Sequence, residues 1–331
     1  MGDAAQLVPQ LLPQRRVVVI TDSNVHRCHH ALIDSYEHII IGLGEQAKSF
    51  ATVERLYRTL IEMGVDRNCF LLGIGGGIVT DITGYVASTY MRGLEFGFVS
   101  TTLLGQVDAS VGGKNGINVG GYKNMVGTFS QPKFVICDVK LLASLPDREF
   151  LSGLAEVIKA AIIGNAHLFE VLEQVDLESL GKNPTLLEQI VESALEVKIA
   201  VVSADERESG LRRVLNLGHT VAHAIEKSST RYNHGEAVAI GLVCVTEASQ
   251  RAGLISAVDA ERIRALIAAF GFELELPVAM SRLLKEMQKD KKRDGGSLHI
   301  ILPKAIGAVC DKQMSFSEVE SFFQRASNPT A

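Results

Sequence analysis

Residues 215–226, LNLGHTVAHAIE, set His219 and His223 four apart in a segment that reads as one helix, so both imidazoles can leave the same face. The spacing matches part of the zinc-protease signature H-E-x-x-H, but Thr220 stands where that chemistry needs a glutamate, so the pair needs partners elsewhere. A catalytic zinc ion commonly takes three protein ligands and keeps one position open. The same half of the chain offers His234 in RYNHGEAVAIG and Glu156 in LSGLAEVIKAAI. Cations gather there too. Lys159 follows Glu156 by one helical turn, while Lys198, Arg212, Asn216 and His223 fall on segments expected to pack together, which suits a doubly anionic ligand. Taken alone, Lys198 in SALEVKIAVVSA also reads as a snorkelling lysine.

The first half carries a different chemistry. In FLLGIGGGIVTDITGYVAS, residues 70–88, a strand runs into a cluster of glycines and leaves as a helix. Glycine lets a backbone approach a pyrophosphate, and a helix N-terminus supplies N–H donors and positive dipole. The run fails the strict G-x-G-x-x-G pattern, because Ile78 holds the last glycine position, so a plain tight turn stays open. A second Gly-rich segment, FVSTTLLGQVDASVGGKNGIN (98–118), gathers Thr101, Thr102, Asp108 and Lys114 after another strand, where hydroxyls and a carboxylate could hold a ribose and a nicotinamide.

The elements that must position these groups differ between the halves. VVVI (17–20), HIII (38–41), FLLGIG (70–75), FGFVS (96–100) and KFVICD (133–138) alternate with helical patterns, one of which, SFATVERLYRTLIEMG, ends at Gly64. That order predicts a parallel sheet faced by helices, an α/β Rossmann-like nucleotide-binding domain over residues 1–147. Residues 148–331 predict a mainly α-helical metal- and substrate-binding domain, with helices over 148–163, 184–202, 213–228, 234–252 and 258–270. Within it, LHIILPKAIGAVC (298–310) predicts a hairpin turning around Pro303 and Lys304, followed by a helix over 315–326.

Composition narrows the function. The 331 residues carry 33 basic and 38 acidic side chains, a net charge of −5, without a basic block fit for nucleic acid. The richest basic run, KDKKRD (289–294), is bracketed by acids and reads as either a solvated loop or a phosphate site. Five scattered cysteines make no C-x-x-C pair, no apolar run is long enough to span a membrane, and no signal-peptide pattern opens the chain, so a cytoplasmic location is expected.

GGGIVTD, TTLLGQVDASVGGKNGIN followed by YKNMVG, SGLAEVIK, the spaced R-x-x-x-N-x-x-H-x-x-x-H from Arg212 to His223, NHGEAV and DKK occur in this order from Asp22 to about Gly307. Together they resemble the 3-dehydroquinate synthase family of sugar-phosphate cyclases. The resemblance implies NAD, one divalent metal ion (Zn2+ or Co2+), a homodimer, and conversion of 3-deoxy-D-arabino-heptulosonate 7-phosphate to 3-dehydroquinate and phosphate in the shikimate pathway. It implies metal ligation by Glu156, His219 and His234, with His223 turned to substrate phosphate. It implies NAD contacts at Asp22, Asn24, Glu45, Lys48, Gly75, Gly76, Gly77, Asp81, Thr101, Thr102, Asp108, Lys123, Ser144 and Leu145. Substrate contacts would fall on Arg92, Lys114, Asn124, Lys159, Lys198, Arg212, Asn216, His223 and one lysine of the Lys291–Lys292 pair, taken as Lys292. Ser100 and Ser144 depart from the family's usual Pro and Thr, and Val221 replaces a frequent aromatic residue; no charged or ligating group is lost. Rival readings are a cyclase for a substrate without a carboxylate, such as sedoheptulose 7-phosphate, a metal-dependent polyol dehydrogenase, and a silent nucleotide-binding scaffold.

Overall fold

The structure, a computed structural model, describes residues 1–291 and 297–324. The chain divides into two compact units, Met1–Phe150 and Leu151–Ala331.

The first unit runs α1 (Ala4–Leu11), β1 (Val17–Asp22), α2 (Ser23–His29), β2 (Glu37–Ile41), α3 (Phe50–Glu62), β3 (Phe70–Gly75), α4 (Gly77–Thr89), β4 (Glu95–Ser100), β5 (Lys114–Val119), β6 (Tyr122–Phe129) and β7 (Val135–Cys137). Five strands form a wholly parallel sheet in the order β2-β1-β3-β4-β7. The β-branched run of β1 explains its place inside the sheet: Val18 and Ile20 pack with Val53, Leu56 and Ile82 on one face, while Val17 and Val19 pack with Ala4, Val8 and Ile33 on the other. A sheet buried on both faces needs apolar side chains at consecutive positions rather than alternate ones.

Strand order reverses direction between β1 and β3, and in open α/β sheets ligands settle beyond the carboxyl ends of the strands at such a switch point. Asp22 ends β1, Gly75 ends β3, and Ser100 ends β4, so Thr101 and Thr102 follow at the same edge. A two-stranded antiparallel pair follows, β5, which takes up the end of the glycine-rich 98–118 segment, with β6, for which the sequence predicts no strand.

The boundary falls within the first turn of α5 (Asp147–Gly164), and the second unit continues with α6 (Ala166–Glu173), α7 (Leu177–Lys182), α8 (Pro184–Ala204), α9 (His219–Ser228), α10 (His234–Arg251), α11 (Ala257–Ala269), α12 (Met280–Lys291), β8 (Ser297–Ala305), β9 (Ala308–Ser315) and α13 (Phe316–Gln324). The expected helix from 213 is divided: a 3-10 turn covers Leu211–Asn216, Gly218 adopts φ +76, and α9 starts at His219. The hairpin also turns later than expected. Pro303 pairs within β8, opposite Val309, and the turn falls at Gly307, where φ is +85. Among the described residues no helix is long and apolar enough to cross a membrane.

Candidate functional site

Three helices of the second unit converge on one carboxylate. Glu156 lies mid-way along α5, His219 opens α9 and His234 opens α10; their ligand atoms all fall within 4.8 Å of one another. Glycine permits this approach. A Cβ on Gly235 would sit 2.3 Å from both Cα and O of Ser152, one turn before Glu156, and one on Gly241 would sit 2.2 Å from Gly218 O. Hence α10 can lie backbone to backbone against α5 and against the start of α9. Gly235 N–H donates to Ser152 Oγ at 3.0 Å, and a reciprocal box of Asn233 and Glu236 caps the helix carrying His234.

Both imidazoles are aimed. His219 Nδ1 lies 3.1 Å from Leu217 O, so the tautomer donating there leaves Nε2 toward Glu156, 3.6 Å from Oε1. His234 Nε2 lies 3.2 Å from the same Oε1, while its Nδ1 faces Glu226 Oε1 at 3.5 Å. Metal-ligating histidines commonly have their second nitrogen held by a carbonyl or a carboxylate in this way. Sequence reasoning misses Glu226; its one signal is a position seven residues, about two turns, after His219.

Charge matches that use. Glu156 is 2% exposed and Lys159, its ion-pair partner, 3%. Burial works against ionisation of Glu156, but Lys159, then His219 and His234, outweigh it and hold the carboxyl well below the usual carboxylate range. Burial, reinforced by Lys159, pushes His219 down to about 3, so it stays neutral with a lone pair to give. One carboxylate and two imidazoles, converging, with Glu156 and His219 buried and His234 half-buried, fit a divalent ion of the zinc or cobalt type.

The remaining expected residues of this unit stand nearby in sequence and on packed elements. The His223 ring is exposed and edge-on to that of His219 at 5.6 Å. Lys198 is buried on α8, which packs against the 3-10 turn carrying Arg212 and Asn216. Asp205, unremarked in the sequence, organises that turn: its carboxylate accepts from Ser209 N, Gly210 N and Arg212 N at 2.9, 2.8 and 3.0 Å. Arg212 also donates to Glu206 O, and Asn216 donates to Glu208 Oε1 at 2.7 Å. Lys292 lies outside the described residues, and Lys291 ends α12.

In the first unit, Asp22 caps α2 by accepting from Asn24 N and Val25 N at 2.9 and 3.0 Å. No side chain caps α4 at Gly76, and Cβ atoms on Gly75, Gly76 and Gly77 would meet Val79, Thr102 and Ala109 at 2.5, 2.8 and 2.9 Å. The glycines therefore let the segment after β4 close down on the helix start. Thr101 N–H donates to Gly75 O at 3.0 Å, and Asp108 lies in a π-helical turn, Gly105–Ala109, a feature frequent at functional sites. Buried Lys48 pairs with Asp81. Asn118, absent from the sequence expectations, links three segments: it donates to Glu45 Oε1 at 2.6 Å and to Lys48 O at 2.8 Å, and accepts from Asn124 N at 2.9 Å. Ser144 Oγ lies 2.9 Å from His29 Nε2, with Leu145 half-buried beside it in sequence. Lys114 and Lys123 are exposed on β5 and β6. Positive φ outside glycine occurs among the described residues at Met91, Arg92, Asn124 and Glu208. Two of these are expected substrate contacts and a third holds Asn216, in keeping with the tendency of backbone strain to gather at functional sites.

By fold, the molecule belongs with the sugar-phosphate cyclases. It superposes on 2-epi-5-epi-valiolone synthase from Streptomyces hygroscopicus, solved with NAD+ and Zn2+ bound, with TM-score 0.84 and 28% identity, covering 95% of this chain and 91% of that one. A 2-deoxy-scyllo-inosose synthase, solved with carbaglucose-6-phosphate, NAD+ and Co2+, shares the fold at TM-score 0.86 and 23% identity, over 97% and 94% of the two chains. Sequence is more specific. Residues 38–152 match the family profile described as 3-dehydroquinate synthase N-terminal, and residues 153–293 the C-terminal one. The 3-dehydroquinate synthase of Thermodesulfovibrio yellowstonii is 46% identical over 273 residues, 81% of this chain and 76% of the relative. That of Alkaliphilus metalliredigens is 38% identical over 316 residues, 93% and 89%. The chain belongs to the 3-dehydroquinate synthase family.

Proposed function

We propose that the chain is a phosphate-eliminating lyase that converts 3-deoxy-D-arabino-heptulosonate 7-phosphate to 3-dehydroquinate and inorganic phosphate, acting as a cytoplasmic homodimer in aromatic amino-acid biosynthesis. The observation that carries this reading is the convergence of Glu156, His219 and half-buried His234, with buried Lys159 beside them, in a chain that matches the family on both units.

When bound, NAD would accept and return hydride at one carbinol of the substrate, and a zinc or cobalt ion would lend Lewis acidity to the hydroxyls next to it. Glu156, His219 and His234 would hold the ion. Asp22, Asn24, Glu45, Lys48, Gly75, Gly76, Gly77, Asp81, Thr101, Thr102, Asp108, Lys123, Ser144 and Leu145 would hold the nucleotide, its pyrophosphate against the uncapped start of α4. Lys159, Lys198 and Arg212 would bind the anionic groups of the substrate, and Asp205 keeps the Arg212 backbone in place for it. Oxidation of a carbinol makes the proton on the neighbouring carbon acidic, and this is the proton that must leave with phosphate. His223 and Asn216 would orient the phosphate so that its own oxygen takes that proton. Arg92, Lys114, Asn124 and Lys292 complete the proposed substrate contacts. Ring opening and aldol closure then gain from a held conformation. The uncharged end of a heptulose would leave Lys198 and Arg212 facing no carboxylate, which favours the acid substrate.

Phosphate release from the heptulosonate phosphate with trace NAD+, with and without prior chelation and beside sedoheptulose 7-phosphate, tests the reading. Many turnovers per NAD+, sensitive to chelation and confined to the acid, are expected. Release from the heptulose alone would make the chain a sister cyclase, stoichiometric NADH a dehydrogenase, and no turnover of any kind would sink the enzyme reading.

A further inference from the structure

A second convergence of metal-binding side chains lies in the first unit, far in sequence from Glu156, His219 and His234. Four of the nine histidines, His26, His29, His30 and His38, crowd into residues 26–38. The fold brings two of them to a carboxylate. His26 on α2, Asp34 in the turn that follows and His38 at the second position of β2 offer ligand atoms within 4.8 Å of one another. His26 Nε2 lies 2.9 Å from Asp34 Oδ1, and the His26 and His38 rings stack with centroids 5.0 Å apart. His38 Nδ1 lies 3.2 Å from Tyr36 O, so its N–H donates there and the Nε2 lone pair is left for a ligand.

We infer that His26, Asp34 and His38 form a surface site for a borderline divalent cation such as Zn2+, Co2+ or Ni2+, distinct from the buried group of the second unit. Two imidazoles and one carboxylate select such ions over Mg2+ or Ca2+, which prefer all-oxygen shells. The geometry is nearly in place. Two ligands about 2.0–2.1 Å from a tetrahedral zinc stand about 3.3 Å apart, so a cation replacing the proton between His26 and Asp34 needs only a few tenths of an ångström of opening. His38 is exposed and offers a ring nitrogen within 4.8 Å of the other two ligand atoms, so a movement of its side chain alone closes the remaining gap. Because Asp34 and His38 are exposed, the cation enters from solvent without opening the fold, but two mobile side chains must be ordered, which makes the site weaker than a buried one. Its effect is mechanical. His26 lies one turn after Asp22, the cap of α2, and β2 lies beside β1, so a bound cation clips the helix that presents Asp22 and Asn24 to the sheet edge next to it.

Equilibrium dialysis of chelator-stripped full-length protein against graded Zn2+, with metal counted per chain, tests this. Wild type is expected to saturate at two equivalents of unequal affinity, and His38→Ala at one, with the tighter equivalent unchanged. His219→Ala should keep only the weaker equivalent, and Ni2+ should raise its melting temperature but not that of His219→Ala/His38→Ala. Saturation of wild type at one equivalent that His38→Ala leaves intact would overturn the assignment. So would a second equivalent surviving His26→Ala/His38→Ala, which would place it on His29 or His30. If His219→Ala does not fold, the comparison of wild type with His38→Ala alone decides.

Discussion

Gly235→Ala puts the assembly of the buried site to a severe test, because it adds one methyl group and removes no ligand. The new Cβ would stand 2.3 Å from Cα and O of Ser152 and 2.6 Å from its carbonyl carbon, all backbone atoms of α5 that no rotamer change can move. Ordinary contact begins near 3.4 Å, so the start of α10 has to retreat from α5 by about 1 Å. Overpacking a close-packed interior by a methylene typically costs about 1–3 kcal/mol, and a rigid backbone opponent points to the upper end. His234 moves with its neighbour, and metal–ligand distances tolerate only about ±0.2 Å. Loss of metal affinity of at least the ~10–100-fold seen on removing a mere outer partner is therefore expected. Urea unfolding and competition against a chromophoric chelator measure the two effects, with Gly181→Ala as control, since a Cβ there meets nothing within 4 Å. Ser152→Gly should not rescue Gly235→Ala, because the clash is with main chain. A Gly235→Ala protein with wild-type midpoint and metal affinity would refute the idea that this contact sets the site.

Glu226→Gln should weaken metal binding by about 10–100-fold while leaving one equivalent bindable at saturation, read by chelator competition; unchanged affinity would deny Glu226 its hold on His234. His219→Ala should lose the buried metal, whereas His223→Ala should keep it and lose phosphate release, and equal metal loss in both would end that division of labour. Lys159→Met should tighten metal binding by removing a like charge yet abolish turnover; a parallel fall of both would make Lys159 only a structural partner of Glu156. Hydrogen bonds to Asp205, first from Arg212 N–H, hold its carboxyl far below the ordinary value of 3.8, so its stabilisation is present above that value and lost as pH falls through and below it. Asp205→Asn should therefore be less stable than wild type at neutral pH, with a gap in urea midpoint that closes in acid and a raised KM; a pH-independent gap would contradict the linkage.

The parallel sheet was legible because strands covered on both faces demand apolar residues at consecutive positions, which VVVI and FLLGIG supply. The β5–β6 pair was not. Gly116 and Gly127 lower strand propensity, and the reason for Gly127 is a close approach, since its Cβ would stand 2.4 Å from Asn115 O. Sequence patterns run α9 back to 213 because the apolar spacing continues, whereas Gly218 at φ +76 restarts the chain so that His219 becomes the first helical residue. The candidate ligand types, His219 and His234 with Glu156, could be picked out from three histidines within sixteen residues of a chain that has nine, and the fold brings those two histidines and the glutamate together. Their supports could not: Glu226, Asp205, Asn118 and Gly235 are unremarkable letters, and only tertiary contact shows what they hold.

A lysine buried beside a carboxylate proposed to bind metal looks like a fault, since its charge would compete with the cation for Glu156. The local sum gives it a purpose. Glu156 and Glu226 bring two negative charges to the group; Lys159 brings one positive charge and His234, raised to about 10 by these two carboxylates against its burial, another, with His219 neutral. A divalent ion that takes the place of the His234 proton therefore turns a net charge of about 0 into about +1, and buried Lys198 and Arg212 are added from the elements carrying the expected substrate contacts. A site made only to retain metal would be more stable without these cations. One that must also draw in a carboxylate and a phosphate, and release phosphate once it has left the carbon skeleton, needs positive charge whose share the metal does not wholly supply. The lysine weakens the resting site in order to serve the loaded one, and this is why metal affinity and turnover should move in opposite directions when it is removed.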